Sequence, residues 1–114
     1  MQTVRVVDII GSQTAVSPRA GLKAYDFISA QLNSGISTEV SFEGVEDLTS
    51  AFCNAFVGKL YMTHSPEMLQ ATLKLSGIDE NHIWFKKVKN AILLGTNENA
   101  RTLHKDNLAE VIFS

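Results

Sequence analysis

Apolar positions along the chain change period several times, and each change marks an element. Residues 4–10 are rich in β-branched side chains and stop at Gly11, which predicts a strand and a turn. Ala15-Val16 reads as a short second strand beside it. Ser17-Pro18 then opens a helix, because Ser is a good N-cap and Pro is tolerated at the first helical position. Leu22, Tyr25, Ile28 and Leu32 follow near helical spacing, and Asn33-Ser34-Gly35 supplies the stop. Residues 38–42 read as the next strand. From Thr49 the period is helical again, with Phe52, Phe56 and Leu60 four apart and Ala51 and Ala55 beside them.

Residues 70–78 fit two patterns. Ser65 as N-cap, Pro66 at the first position and Gly77 as terminator would make a helix. Ala71, Leu73 and Leu75 alternate, which makes a strand. The strand over 70–76 is preferred, since two adjacent helices would leave the second with no sheet edge to cover. Trp84, Val88, Ala91 and Ile92 mark a helix over 81–94, closed by Gly95. The apolar patch Leu108, Val111, Ile112 and Phe113 fits helix and strand alike. No repeat, linker or low-complexity stretch divides the chain, so residues 1–114 read as one domain with a core over about 1–95 and a C-terminal extension over 96–114. Alternating strands and helices predict an α/β fold: a mixed sheet of about four strands with helices mainly on one face. Phe42, Phe52, Phe56, Leu60, Leu73 and Leu75 form the expected core.

Composition narrows the function classes. With 114 residues, 45% hydrophobic and 19% charged, the chain has the balance of a soluble domain with a modest core. The net charge is −2 and the lysines are dispersed, so bulk electrostatics does not favour nucleic acid. Cys53 is alone, which excludes an internal disulfide and makes a reducing cytoplasm the simplest expectation. The first residues lack the pattern of a signal peptide, and no apolar run approaches the roughly 20 residues of a membrane span.

The best chemical handle is the passage from Val40 to Phe52, a strand, a tight loop and a helix start bearing the hydroxyls of Thr49 and Ser50. A helix N-terminus offers free N–H groups and partial positive charge, which suits an anion or a phosphorylated side chain. The ordinary role of the same hydroxyls is capping. Glu43, Glu46 and Asp47 stand nearby and would repel a phosphate. Cys53 lies one turn into the helix, between Phe52 and Phe56, where a buried apolar role is the common one. His64, His82 and His104 lack ligand spacing, so no metal is expected. No Gly-rich phosphate loop is present, and no cofactor is expected. Lys86, Lys87 and Lys89 read as a solvated face or a patch for an acidic partner, and Trp84, Tyr61 and Met62 as core or interface residues.

The stretches 17–21, 40–45, 49–60 and 73–78, taken in that order, resemble the STAS fold of bacterial anti-sigma factor antagonists, and more closely the small prokaryotic family of STAS-like domains of unknown function. Ser17-Pro18-Arg19-Ala20-Gly21 is similar to the opening of that family's first helix. Phe42-Glu43-Gly44-Val45 matches its F-x-G-V loop. Ser50-Ala51-Phe52 with Phe56-Val57-Gly58-Lys59-Leu60 resembles its S-x-F … F-x-G-x-L helix, and the strand ending at Ser76-Gly77 is similar to the STAS strand before the third helix. The likeness covers about residues 1–95. It implies a regulatory module that is not an enzyme and that binds a protein, typically a histidine-kinase-like ATPase. It also implies control by phosphorylation in a D-S/T-S/T-G motif at the start of the second helix. Here the motif departs: aligning Val45-Glu46 puts Thr49 on the Asp, Ser50 on the variable hydroxyl, Ala51 on the phosphorylated position and Phe52 on the Gly. A shift of one residue puts Ser50 on the phosphorylated position.

The expectation is a non-catalytic signalling module. Thr49 and Ser50 are the candidate phosphorylation or anion site, and Glu46, Asp47, Thr49, Ser50 and Tyr61 are the candidate partner-binding residues. The alternative is a small-ligand or nucleotide sensor holding a phosphate at Thr49-Ser50; a third reading is a small enzyme using Cys53.

Overall fold

The structure, a computed structural model, describes residues 1–79 and 82–113, with side chains described for 1–79 and 82–99. In chain order the elements are β1 (Gln2–Arg5), α1 (Val6–Ile10), β2 (Thr14–Ala15), α2 (Pro18–Asn33), β3 (Thr38–Ser41), β4 (Asp47–Leu48), α3 (Ser50–Cys53), a π-helical turn (Asn54–Gly58), α4 (Lys59–Thr63), α5 (Pro66–Thr72), β5 (Leu73–Ser76) and α6 (Ile83–Phe113). The fold is α/β. Its strands form two parallel sheets, one of three strands in the order β1-β3-β5 and one of two, β2-β4. This corrects the expected single mixed sheet of about four strands. The short strand at Ala15 pairs not with β1 but with Leu48, across the chain.

Three segment readings also change. Residues 6–10 are helix, not strand, and Gly11 caps that helix at φ 70°, its N–H bonded to Val7 O. A left-handed residue after a run of Val and Ile marks a turn or a C-cap equally well. Residues 70–76 divide: Ser65 accepts from Met68 N–H and starts α5, and the chain turns extended at Leu73. Gly95 does not close the third long helix, which runs on as one element of 31 residues. The patch at 108–113 is therefore helical in backbone, while its side chains and that of His104 lie outside the described ones.

Register sets the sheet's two faces, because partners across a ladder point the same way. Val4, Val40 and Leu75 share one face. Val40 is fully buried there, in one apolar cluster with Val6, Ala24, Ile28, Phe42, Phe52, Phe56 and Leu60. Thr3, Glu39 and Lys74 share the other face, where Lys74 pairs with Glu39 at 3.8 Å and Ser76 Oγ donates to Glu39 Oε2 at 2.9 Å. Phe42, Phe52, Phe56 and Leu60 are buried as expected. Leu73 and Leu75 are only half-buried, because β5 is an edge strand of its sheet.

Residues 50–63 form one helical rod held between α2 and α6. Tyr25 Oη meets Thr63 Oγ1 at 2.9 Å, and Lys59 Nζ sits 4.5 Å over the Tyr25 ring. On the other side, a Cβ on Gly95 would collide with Gly58 O. No helix among the described residues is long and apolar enough to cross a membrane.

Candidate functional site

The start of the rod is bolted to the N-terminal part of the chain by backbone and hydroxyl bonds. Glu46 N–H donates to Gln13 O at 2.8 Å, and Thr49 N–H donates to Ala15 O at 3.1 Å. Between them the β2-β4 ladder pairs Thr14 with Asp47 and Ala15 with Leu48. Ala15 and Leu48 are fully buried, so this small sheet carries its own piece of core. Arg5 reaches over the turn at Gly44.

The two candidate hydroxyls have different surroundings. Thr49 is the N-cap: its Oγ1 accepts from Phe52 N–H at 3.2 Å and donates to Val16 O at 2.7 Å. Both hydrogen-bonding roles of that hydroxyl are used in holding the helix to the chain before α2. Ser50 is the first helical residue and is exposed, and its hydroxyl makes no hydrogen bond among the described residues. Glu43, Glu46 and Asp47 are exposed beside it in sequence.

The structure thus brings Glu46, Asp47, Thr49 and Ser50 together at one end of the rod. Tyr61 is apart from them, about 16 Å further along the helix at 1.5 Å per residue. It is half-buried, and burial pushes its hydroxyl pKa above the ordinary value. Cys53 is fully buried, and desolvation, partly offset by the charge of Lys87, pushes its thiol up to about 11. A thiol held protonated is a poor nucleophile, so the geometry gives no support to the Cys53 reading. Among the described residues no group of His, Cys, Asp and Glu is placed to hold a metal ion. Neither Thr49 nor Ser50 lines the surface clefts walled by Leu75 and Phe85, by Met62 and Leu94, or by Phe27 and Ile36.

Sequence reading missed Lys87. Of the three lysines it alone turns inward, its Nζ donating to Leu48 O at 2.9 Å just before the helix start. The signal was present: Lys87 stands four residues before the buried Ala91, on the helix face that meets the core. The role of Val16 left no such signal, because a backbone carbonyl belongs to every residue type.

A model of the family described as a STAS-like domain of unknown function matches residues 21–82, more than half of the chain. The chain belongs to that family. The matched stretch of the STAS-like domain runs from Gly21 in α2 to the start of α6 and includes the whole rod and the loop before it. No curated protein and no solved structure shows a match.

Proposed function

We propose that this STAS-like domain is a non-catalytic regulatory module. The exposed side chains of Glu43, Glu46 and Asp47 and the first turn of the rod are offered to a protein partner, and Ser50 is the residue whose modification switches binding. The family resemblance points to a histidine-kinase-like ATPase as the partner's class. The observation that carries the reading is the division of labour between neighbouring hydroxyls: Thr49 Oγ1 is consumed in capping, while the Ser50 hydroxyl at the same helix start is exposed and makes no hydrogen bond among the described residues.

A phosphate on Ser50 adds about two negative charges. The helix tolerates them, since its N-terminus favours an anion by about 0.3–1 kcal/mol. An interface already edged by Glu43, Glu46 and Asp47 does not. Calorimetry against the partner recovered by pull-down from host extract tests this. Ser50→Asp should weaken binding by about tenfold or more, about 1.4 kcal/mol, with the unfolding midpoint unchanged. Ser50→Ala should bind as wild type. Thr49→Ala should lower stability by about 1 kcal/mol through the lost cap and leave the binding switch in place. Equal affinities for wild type and Ser50→Asp would remove Ser50 from the mechanism.

A further inference from the structure

The outer edge of β5 is unpaired among the described residues. Phe42 N–H donates to Ser76 O at 2.9 Å, so the peptide groups of Ser76, and by alternation those of Lys74, turn toward β3. The N–H and C=O of Leu75 therefore face outward, the condition in which a sheet accepts another strand. Beside that edge α6 stands off from β5 and leaves a cleft of about 210 Å³ walled by Leu75, Ile78, Phe85, Val88 and Ile92. An apolar cleft and two peptide groups unpaired among the described residues lie side by side.

Charge says what fits there. Residues 82–97 hold three lysines and no Asp or Glu. Lys89 lines the cleft and is exposed, and Lys86, three residues earlier on the helix, is exposed too. Neither is in an ion pair among the described residues, whereas Lys87 is spent on Leu48 O. Lys86, the fourth residue of α6, lies near the helix's positive end, where a cation opposes the macrodipole.

We propose that the β5 edge and this cleft form a docking groove for an extended, acidic and apolar peptide segment of a partner protein, added to the sheet as a strand. Main-chain bonds to Leu75 supply the pairing, one apolar side chain fills the cleft, and carboxylates two residues to either side of it meet Lys86 and Lys89. This surface is distinct from the Ser50 end of the rod and does not depend on the role of Ser50.

The test titrates the full ¹⁵N-labelled chain with the peptide acetyl-Glu-Val-Leu-Val-Glu-amide. The expected result is saturable shifts at the amides of Leu75, Ser76, Ile78 and Lys89, with slowed hydrogen exchange at Leu75. The peptide with both Glu replaced by Lys should bind at least tenfold more weakly, and Lys89→Glu should narrow or reverse that preference. N-methylation at the leucine and N-methylation at the two valines should differ, one abolishing binding and the other sparing it, because alternate residues of a strand face its neighbour. Absent or displaced shifts, equal binding of the two charge forms, or equal binding of both N-methylated peptides would each overturn the proposal. The last outcome would mark the cleft as a pocket for a lone apolar group or small carboxylate.

Discussion

At the scale of single residues, burial decides chemistry more than identity does. Cys53 sits near a helix start, a place that by itself favours the thiolate. It is nevertheless fully buried, and its thiol is raised from the ordinary 9.0 to about 11. A pKa raised in the folded state stabilises the fold below the unfolded value, and that contribution is lost as pH rises toward the folded one. The stability advantage of wild type over Cys53→Ala should therefore shrink between pH 9 and about 11, as read from urea midpoints. Iodoacetamide should label the native thiol far more slowly than the unfolded one at neutral pH, and labelling at the rate of a free cysteine would contradict the burial. The same lesson separates Thr49 from Ser50. Both are good N-caps by type, and the sequence placed both at the helix start. The choice between them rests on Val16 O, a partner 33 residues away in the chain, and no local pattern encodes it.

At the scale of elements, the punctuation residues were legible but their meaning depended on neighbours. Ser17-Pro18 and Ser65-Pro66 both open helices with the serine hydroxyl accepting from the backbone three residues on. The signal at Ser17-Pro18 read correctly, whereas at Ser65-Pro66 the strand preferred over 70–76 displaced the helix that the same local signal opens. Residues 6–10 did not read correctly, because β-branched content describes a buried strand and a buried helix turn alike, and Val6 is fully buried in the latter. Gly95 shows the same ambiguity in a sharper form. It reads as a terminator, yet it lies inside α6 where that helix meets the rod at Gly58. Propensity alone makes Gly95→Ala stabilising by about 1 kcal/mol. The added Cβ would instead strike Gly58 O, which is backbone and cannot swing aside. The helices must separate, and overpacking of this kind costs about 1–3 kcal/mol. The substitution should lower the unfolding midpoint, and a higher midpoint would show that the two helices do not touch there.

At the scale of the whole molecule, the question is where the folded unit ends. The sequence puts the core boundary at about residue 95, because Gly95 reads as the end of the last clear helix. Packing carries it further. Asn99 Nδ2 donates to Tyr61 O at 3.2 Å and to His64 O at 3.1 Å. Those two carbonyls lie at the C-terminal end of α4, where carbonyls have no partner within the helix. One side chain from α6 thus closes the end of the rod whose other end presents Ser50, and the rod is fixed at both ends by residues distant in sequence. No periodicity announces this, since an Asn on a helix reads as surface. Asn99→Ala should cost about 1–2 kcal/mol by leaving two partly buried carbonyls without their donor. A chain ending at Gly95 should lose at least as much. Urea unfolding of the full chain, the Asn99→Ala variant and the shortened chain measures both losses. If the shortened chain keeps the full midpoint, the fold ends where the apolar pattern does. If it falls and Asn99→Ala falls with it, the clamp on α4 belongs to the domain, and the rod that carries Ser50 is held from the far side of Gly95.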